Sequence, residues 1–264
     1  MARKKSNALA KPAKSLVGDF ALMKADPSEI AALIRSNIPG GQMTQFDLPD
    51  RITVPTGGAT EWQIQTAKGP TSVKELVGVV LHQEMKRAFW KQGLADGGVA
   101  GPPDCSSPDG VHGDGDPGGY CEGLLNEKTG ALVQPKCPFA EFGSAKTKRG
   151  QACRSSHVLF MMRAESILPM VISLAPKSHS GKNGSRLYFL RLLGEWVPSF
   201  GVLTKIRLES EMGPAGPYSK AVCESAGELS AEERLHFQEI GEQLKSMIAR
   251  VSASDVVDAR SDGE

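Results

Sequence analysis

The segment from Gly93 to Cys153 constrains this chain more than any other, because hydrophobic burial cannot fold it. Its centre, "PPDCSSPDGVHGDGDPGGYC", holds two cysteines, four aspartates, one histidine and almost no apolar side chain. It is too long for a plain connection inside a compact domain. Four cysteines mark it out: Cys105, Cys121, Cys137 and Cys153, each separated from the next by fifteen residues. The amino-terminal "MARKKSNALAKPAK" lacks the apolar core of a secretory signal, and no apolar run approaches the ~18 residues of a membrane span. A cytoplasmic location, with reduced thiols, is therefore expected. A disulfide framework is then not expected, whereas four thiolates around a structural Zn2+ ion supply the missing free energy. The spacing has no C-x2-C knuckle, so unrelated free thiols are the alternative, and His112 is an alternative to one cysteine as ligand. Calcium fails on pattern: the twelfth position counted from Asp114 is Leu125, where a glutamate is needed. The fifth cysteine, Cys223, reads as a small buried hydrophobe in a strand.

The remaining chain is patterned for ordinary elements. "DPSEIAALIRSNIPGG" is a short helix capped by Asp26. "DRITVPTGGATEWQIQ" gives two extended segments around the Gly57-Gly58 turn. Val77, Val79 and Val80 favour one long strand through "SVKELVGVVLHQEMKRAFWKQ". "SHVLFMMRAES" and "ILPMVISLAP" are strand-like. "SRLYFLRLLGEW" is helical, with Leu187, Leu190 and Leu193 spaced for one apolar face. "FGVLTKIRLESEM" alternates as a half-buried strand, and "GPYSKAVCESAGEL" is its hairpin partner. Ser230 and Glu233 form a capping box ahead of a final helix whose apolar face is Phe237, Ile240, Leu244, Met247 and Val251.

This order predicts a mainly β fold with flanking helices: three strands, a helix, two strands. An OB-like five-stranded barrel has that order. The cysteine-rich stretch, 93–153, is expected as an insertion between the second and third strands, and the C-terminal helix closes a domain spanning 26–251. Residues 1–25 form a basic arm, with Arg3, Lys4, Lys5, Lys11 and Lys14 ahead of the first acid, Asp19. Residues 252–264 form an acidic tail, with Asp255, Asp258, Asp262 and Glu264 against Arg260. Both read either as solvated tails or as a basic arm for phosphates and an acidic tip that recruits partner proteins.

Net charge is +1, so affinity for nucleic acid must come from a local patch. Cations and aromatics interleave in "EMKRAFWKQ", "GKNGSRLYFLR" and "KTKRGQACR". Single strands are bound this way, with cations tracking phosphates and rings stacking on bases. Phe89, Trp90 and Tyr188 are the stacking candidates; Lys86, Arg87, Arg154, Arg186 and Lys205 are the phosphate candidates. Core packing of the rings and a solvated surface for the lysines are the competing reading. "SGKNGS" misses the P-loop pattern, no G-x-S-x-G or H-E-x-x-H occurs, and His82, His179 and His236 are isolated in sequence. Four protein ligands leave zinc no open position, so no enzymatic activity is expected.

The blocks "DRITVPTGGATEW", "GVVLHQEMKRAFW", "PPDCSSPDGVHGDGDPGGYC", "CPFAEFGSA", "LPMVISLAPKS" and "VLTKIRLE" resemble a group of bacteriophage and mobile-element proteins over about residues 47–240. The resemblance implies OB-fold single-stranded DNA-binding proteins of replication or recombination, carrying a cysteine-rich zinc insertion. In that pattern two cysteines stand close together, whereas here "EGLLNEKTGALVQPK" separates Cys121 from Cys137. Two other readings remain: a phage structural or assembly protein whose insertion is a docking loop, and a zinc-dependent DNA-processing enzyme.

Overall fold

The structure is a computed structural model. It describes residues 51–247 except 67, 93–101, 127, 147, 149, 165, 167, 182 and 215, together with 26, 28, 29, 32, 36 and 37. The basic arm, the acidic tail and Val251 lie outside the described residues. Among those described, Ser28, Glu29, Ala32, Ser36 and Asn37 are helical, and the Ser28 N–H donates to Asp26 Oδ1 at 2.7 Å, as a capping aspartate should.

The molecule is mainly β, with a few helices. Strand β1 (Arg51–Thr53) leads to a hairpin of β2 (Trp62–Thr66) and β3 (Gly69–Val73). The predicted long strand is β4 (Glu75–Phe89). The insertion follows, with β5 (Cys105–Ser107), β6 (His112–Gly115), β7 (Gly119–Tyr120), β8 (Leu124–Leu125) and β9 (Leu132–Gln134). Then come β10 (Arg154–Met162), β11 (Met170–Leu174), helix α1 (Pro176–His179) and helix α2 (Ser185–Gly194). The chain closes with the hairpin β12 (Val202–Gly213) and β13 (Gly216–Glu228), and helix α3 (Ala231–Met247).

β4 is the hub. One edge pairs with β10, which pairs with β11, whose far edge takes β1 in parallel. The other edge of β4 is shared: its first residues pair with β12, and Arg87–Phe89 pair with β5. β13 pairs with β12, and among the described residues the sheet does not close into a barrel. Gly78 lets this hub form. A Cβ there would meet the Met162 carbonyl oxygen at 2.3 Å, so any side chain would push β10 away from β4. The register shifts between Phe160 and Met161, which pair with His82 and Val80 and leave Leu81 bulged.

The main sheet is covered on both faces. On one, α3 lays Phe237, Ile240 and Leu244 against Leu81, Val158 and Phe160. On the other, Trp62, Leu159, Met161, Ile172, Ile206 and Phe189 form the inner core. Trp62 is fully buried, and its Nε1 donates to the Ile206 carbonyl at 3.2 Å, tying the β2–β3 hairpin to β12. β10 is buried on both faces, which is why it reads as an unbroken apolar run. The capping box of α3 forms as expected: the Glu233 N–H donates to Ser230 Oγ at 3.3 Å, and the Ser230 N–H to Glu233 Oε2 at 2.7 Å.

Two expectations are corrected. α2 does not bury Leu187, Leu190 and Leu193. It buries Ser185, Phe189 and Leu192, and leaves Leu190 and Leu193 more than half exposed. The stripe that faces the core starts from the Ser185 hydroxyl, which hydrogen-bonds to His157, and a polar anchor is invisible to a count of leucines. The insertion joins β4 to β10, the first and second strands of the set that α2 divides, rather than the second to the third.

Candidate nucleic-acid interface and cysteine cluster

The insertion builds a thin layer onto the end of β4. β5 pairs with Phe89, Ala88 and Arg87; β6 pairs with β5, and β7 with β6. Asp109 organises the first turn, accepting from the N–H groups of Val111 and His112, both at 2.8 Å, and from Ser107 Oγ at 3.0 Å. Gly115 has φ +106°, and a Cβ there would meet the Asp104 carbonyl oxygen at 2.2 Å. The glycines of this stretch thus permit turns that side chains would block.

The four cysteines converge through this framework. Cys105 lies directly opposite Phe89 in the ladder. Cys153 stands just before β10, and its N–H donates to the Phe139 carbonyl at 2.8 Å. Phe139 stacks on Phe89 with ring centroids 4.2 Å apart, so both thiols sit in a small apolar nest with Phe89. The Cys137 N–H donates to the Cys121 carbonyl at 3.3 Å, and the Cys121 N–H to the Val111 carbonyl at 2.8 Å. Burial raises the Cys105 and Cys121 thiols and pushes Cys153 up to about 12. Repulsion from the other thiols of the cluster adds to each, while the Arg87 charge pulls Cys121 and Cys153 down. Two observations pull apart here. The backbone gathers the four cysteines, yet among the described residues no group of three or more His, Cys, Asp or Glu side chains is arranged to hold a metal ion. Four thiols are the donor chemistry that zinc takes, and those of Cys105 and Cys153 lie in an apolar nest; beside them Arg87 Nη1 is buried with no hydrogen-bond partner. His112 does not join them; it is exposed and its Nδ1 lies 2.7 Å from Asp109 Oδ2. Cys223 packs against the inner core, far from this cluster in the fold.

The expected nucleic-acid residues separate into three places. Lys86, Arg87, Phe89, Trp90 and Arg154 meet where β4 ends and β10 begins. Arg186 and Tyr188 lie on α2, and Lys205 on β12. Several are already engaged. Phe89 is 6 % exposed and stacked on Phe139, so neither face of its ring is offered to a base. Lys86 is buried, with its Nζ 3.3 Å from Glu84 Oε2, and Arg87 pairs with Glu122. Lys205 lies 2.9 Å from Glu224 and 3.7 Å from Glu75. The Tyr188 hydroxyl sits 3.2 Å from Thr204 Oγ1, and burial pushes it up to about 12. Trp90 and Arg154 are half-buried, and Arg186 is exposed. Lys182 and Arg149 lie outside the described residues.

The structure offers two aromatic rings that residue counting passed over. Phe142 is 82 % exposed, in the loop that carries Lys146 and Lys148. Trp196 is 91 % exposed and takes φ +60°. It closes α2: the Trp196 N–H donates to the Leu193 carbonyl at 3.0 Å and the Val197 N–H to the Leu192 carbonyl at 2.9 Å. This is the Schellman ending, in which the left-handed position normally belongs to glycine. Beside it, Gln83, His157, Arg186, Leu190 and Pro198 line a groove of about 270 Å³ between β4 and α2. The sequence signal was the triplet Gly194-Glu195-Trp196, where the glycine falls too early to take the cap.

His157 and His179, isolated in sequence, meet beneath this groove with ring centroids 6.4 Å apart. His157 contacts Ser185 Oγ through Nδ1 at 2.7 Å and Gln83 Oε1 through Nε2 at 2.9 Å. His179 Nε2 lies 3.1 Å from Ser155 Oγ. They fasten the α1–α2 segment to β10 and β4. Among the described residues no helix is long and apolar enough to cross a membrane. In comparisons with known proteins, no family model, no curated protein and no solved structure matches the chain.

Proposed function

We propose that this chain is a non-enzymatic, sequence-tolerant single-stranded DNA-binding protein of replication or recombination, with an OB-like barrel and a zinc-braced insertion. The observation that carries the reading is Trp196. A tryptophan in the left-handed region costs roughly 1–2 kcal/mol relative to glycine, and an exposed ring recovers nothing by burial. A ring kept at such a position suits a stacking platform, and Arg186 and Arg191 are exposed on the helix that ends there. In support, the strand path β11-β10-β4-β12-β13, with α2 between β11 and β12 along the chain, follows the order an OB-type Greek key would have if left open between β11 and β13. At that opening the Ala221 N–H of β13 donates to Ser178 Oγ of α1 at 3.0 Å. Zinc would be held by Cys105, Cys121, Cys137 and Cys153 and would brace the insertion.

The test is a titration of dye-labelled oligonucleotide followed by its anisotropy, a signal that does not depend on the protein's tryptophans. Trp62 is buried, so tryptophan quenching in the wild type reports on Trp196 and the half-buried Trp90. Single strands should bind more tightly than duplex. Trp196→Gly should lose about 1–3 kcal/mol of affinity while thermal stability stays level or rises, since glycine suits the cap. Unchanged affinity in that variant would sink the stacking role, and no affinity for either form would sink the reading.

A second reading has its own observation. The β8–β9 hairpin exposes Leu125, Leu132 and Val133, each by more than half. Such a patch favours a docking loop of an assembly protein, and that reading is taken up if oligonucleotides do not bind.

A further inference from the structure

We infer that Arg87 is the charge-balancing donor of the cysteine centre, an outer-shell partner of its thiolates and not a contact to nucleic-acid phosphate. The inference rests on the zinc reading above. Its ground is the register of the sheet. Arg87 lies directly opposite Ser107 on β5 and Ser155 on β10. Side chains opposite one another in a ladder share a face, as do residues two apart along a strand. Cys105 is two residues before Ser107, Cys153 two before Ser155, and Phe89 two after Arg87. The row Ser155–Arg87–Ser107 therefore lies one pleat from the pair Phe89–Cys105, on one face, and Cys153, just before β10, packs on that pair.

The arginine side chain is 12 % exposed. Its Nη2 pairs with Glu122, the residue after Cys121. Its Nη1 is buried with no hydrogen-bond partner. A buried guanidinium nitrogen without an acceptor is rare, because the lost hydration has no replacement. Four thiolates around a divalent cation carry a net charge of −2, which a buried site tolerates only when donors and cations face it. A guanidinium supplies a fixed charge and a planar fork of N–H groups. Donors of this kind orient ligands and strengthen metal affinity. A phosphate contact needs the opposite placement, with the fork open to solvent.

The experiment uses the full chain, purified under reducing conditions, with zinc measured by metal analysis and by competition against a chromophoric chelator. The wild type should hold about one zinc per chain. Arg87→Gln should keep that stoichiometry and weaken zinc binding about 10- to 100-fold. Arg87→Lys, which keeps the charge but loses the fork, should weaken it less. Glu122→Gln removes the partner of Nη2 and should leave zinc affinity within a few-fold of wild type. In the cobalt-substituted protein the thiolate-to-metal charge-transfer bands should shift in Arg87→Gln and not in Glu122→Gln. If Arg87→Gln does not fold, Arg87→Lys decides, and zinc affinity equal to wild type in it overturns the inference. Wild-type affinity in Arg87→Gln, or normal zinc affinity with weakened oligonucleotide binding, overturns the role of Arg87 and leaves the zinc reading standing. No metal in the wild type removes both.

Discussion

His157 shows at the scale of one residue how burial turns a common side chain into a pH-sensitive fastening. It is 3 % exposed. Burial first, then the charges of His179 and Arg186, push it down from 6.5 to about 3. The folded protein holds it neutral, while the unfolded chain protonates it below about 6.5. Between those values the unfolded state binds more protons. Stability is therefore full above pH 6.5 and is lost as pH falls, by about 1.4 kcal/mol per pH unit for this group. His179 is lowered too, again by burial first, and acts in the same direction. Urea midpoints at pH 7.5 and 5.0 check this: the wild type should lose about 2 kcal/mol more than His157→Gln over that interval. Equal losses would mean that another group titrates. Trp62 and Trp196 are opposites in the same way, one ring fully buried and hydrogen-bonded, the other 91 % exposed at a helix end.

At the scale of the element, α2 is the instructive case. Its leucines at 187, 190 and 193 suggest one face, and its packed stripe is another. Phe189 and Leu192 fill the inner core, while Leu190 and Leu193 border the groove that Trp196 adjoins. Phe189→Ala should cost about 3–5 kcal/mol and Leu192→Ala about 2–5, whereas Leu190→Gln and Leu193→Gln should stay within about 0.5 kcal/mol. Chemical denaturation of the four variants separates the two faces. A large cost at Leu193 would mean that the helix is rotated from the position described. The insertion teaches the reverse. Its turns were readable from Gly, Pro and Asp, yet the docking of β5 against Arg87–Phe89 was not, since strand pairing depends on a partner remote in sequence.

The whole molecule carries a net charge of +1, so any grip on nucleic acid is local. Lys86, Arg87 and Lys205 are held in ion pairs, and Arg186 and Arg191 on α2 and Lys146 and Lys148 in the loop after Cys137 are exposed. Contacts from these four alone would neutralise few phosphates. The salt dependence should accordingly be shallow, roughly 0.7 log units of affinity per log unit of salt for each phosphate contacted. Titrations at several salt concentrations should give a slope of about −1.5 to −3. A much steeper slope would require a basic surface beyond these four cations.

The sequence by itself determined the elements whose cause is local. The capping box at Ser230 and Glu233, the long valine-rich strand through Val77–Val80, the hairpin of β12 and β13, and the glycine turns of the insertion all formed where neighbouring residues dictate them. It also marked the four cysteines as a set. Only the tertiary structure decided what each shared element leaves outside. Phe89 could stack on a base or on Phe139, and the approach of the loop after Cys137 chose the latter. Arg87 could reach out to solvent or be covered, and the docking of β5 and the loop carrying Glu122 left its side chain 12 % exposed and ion-paired. Side-chain periodicity names the faces of a strand or helix, but which face is buried depends on the surfaces that long-range pairing brings against it.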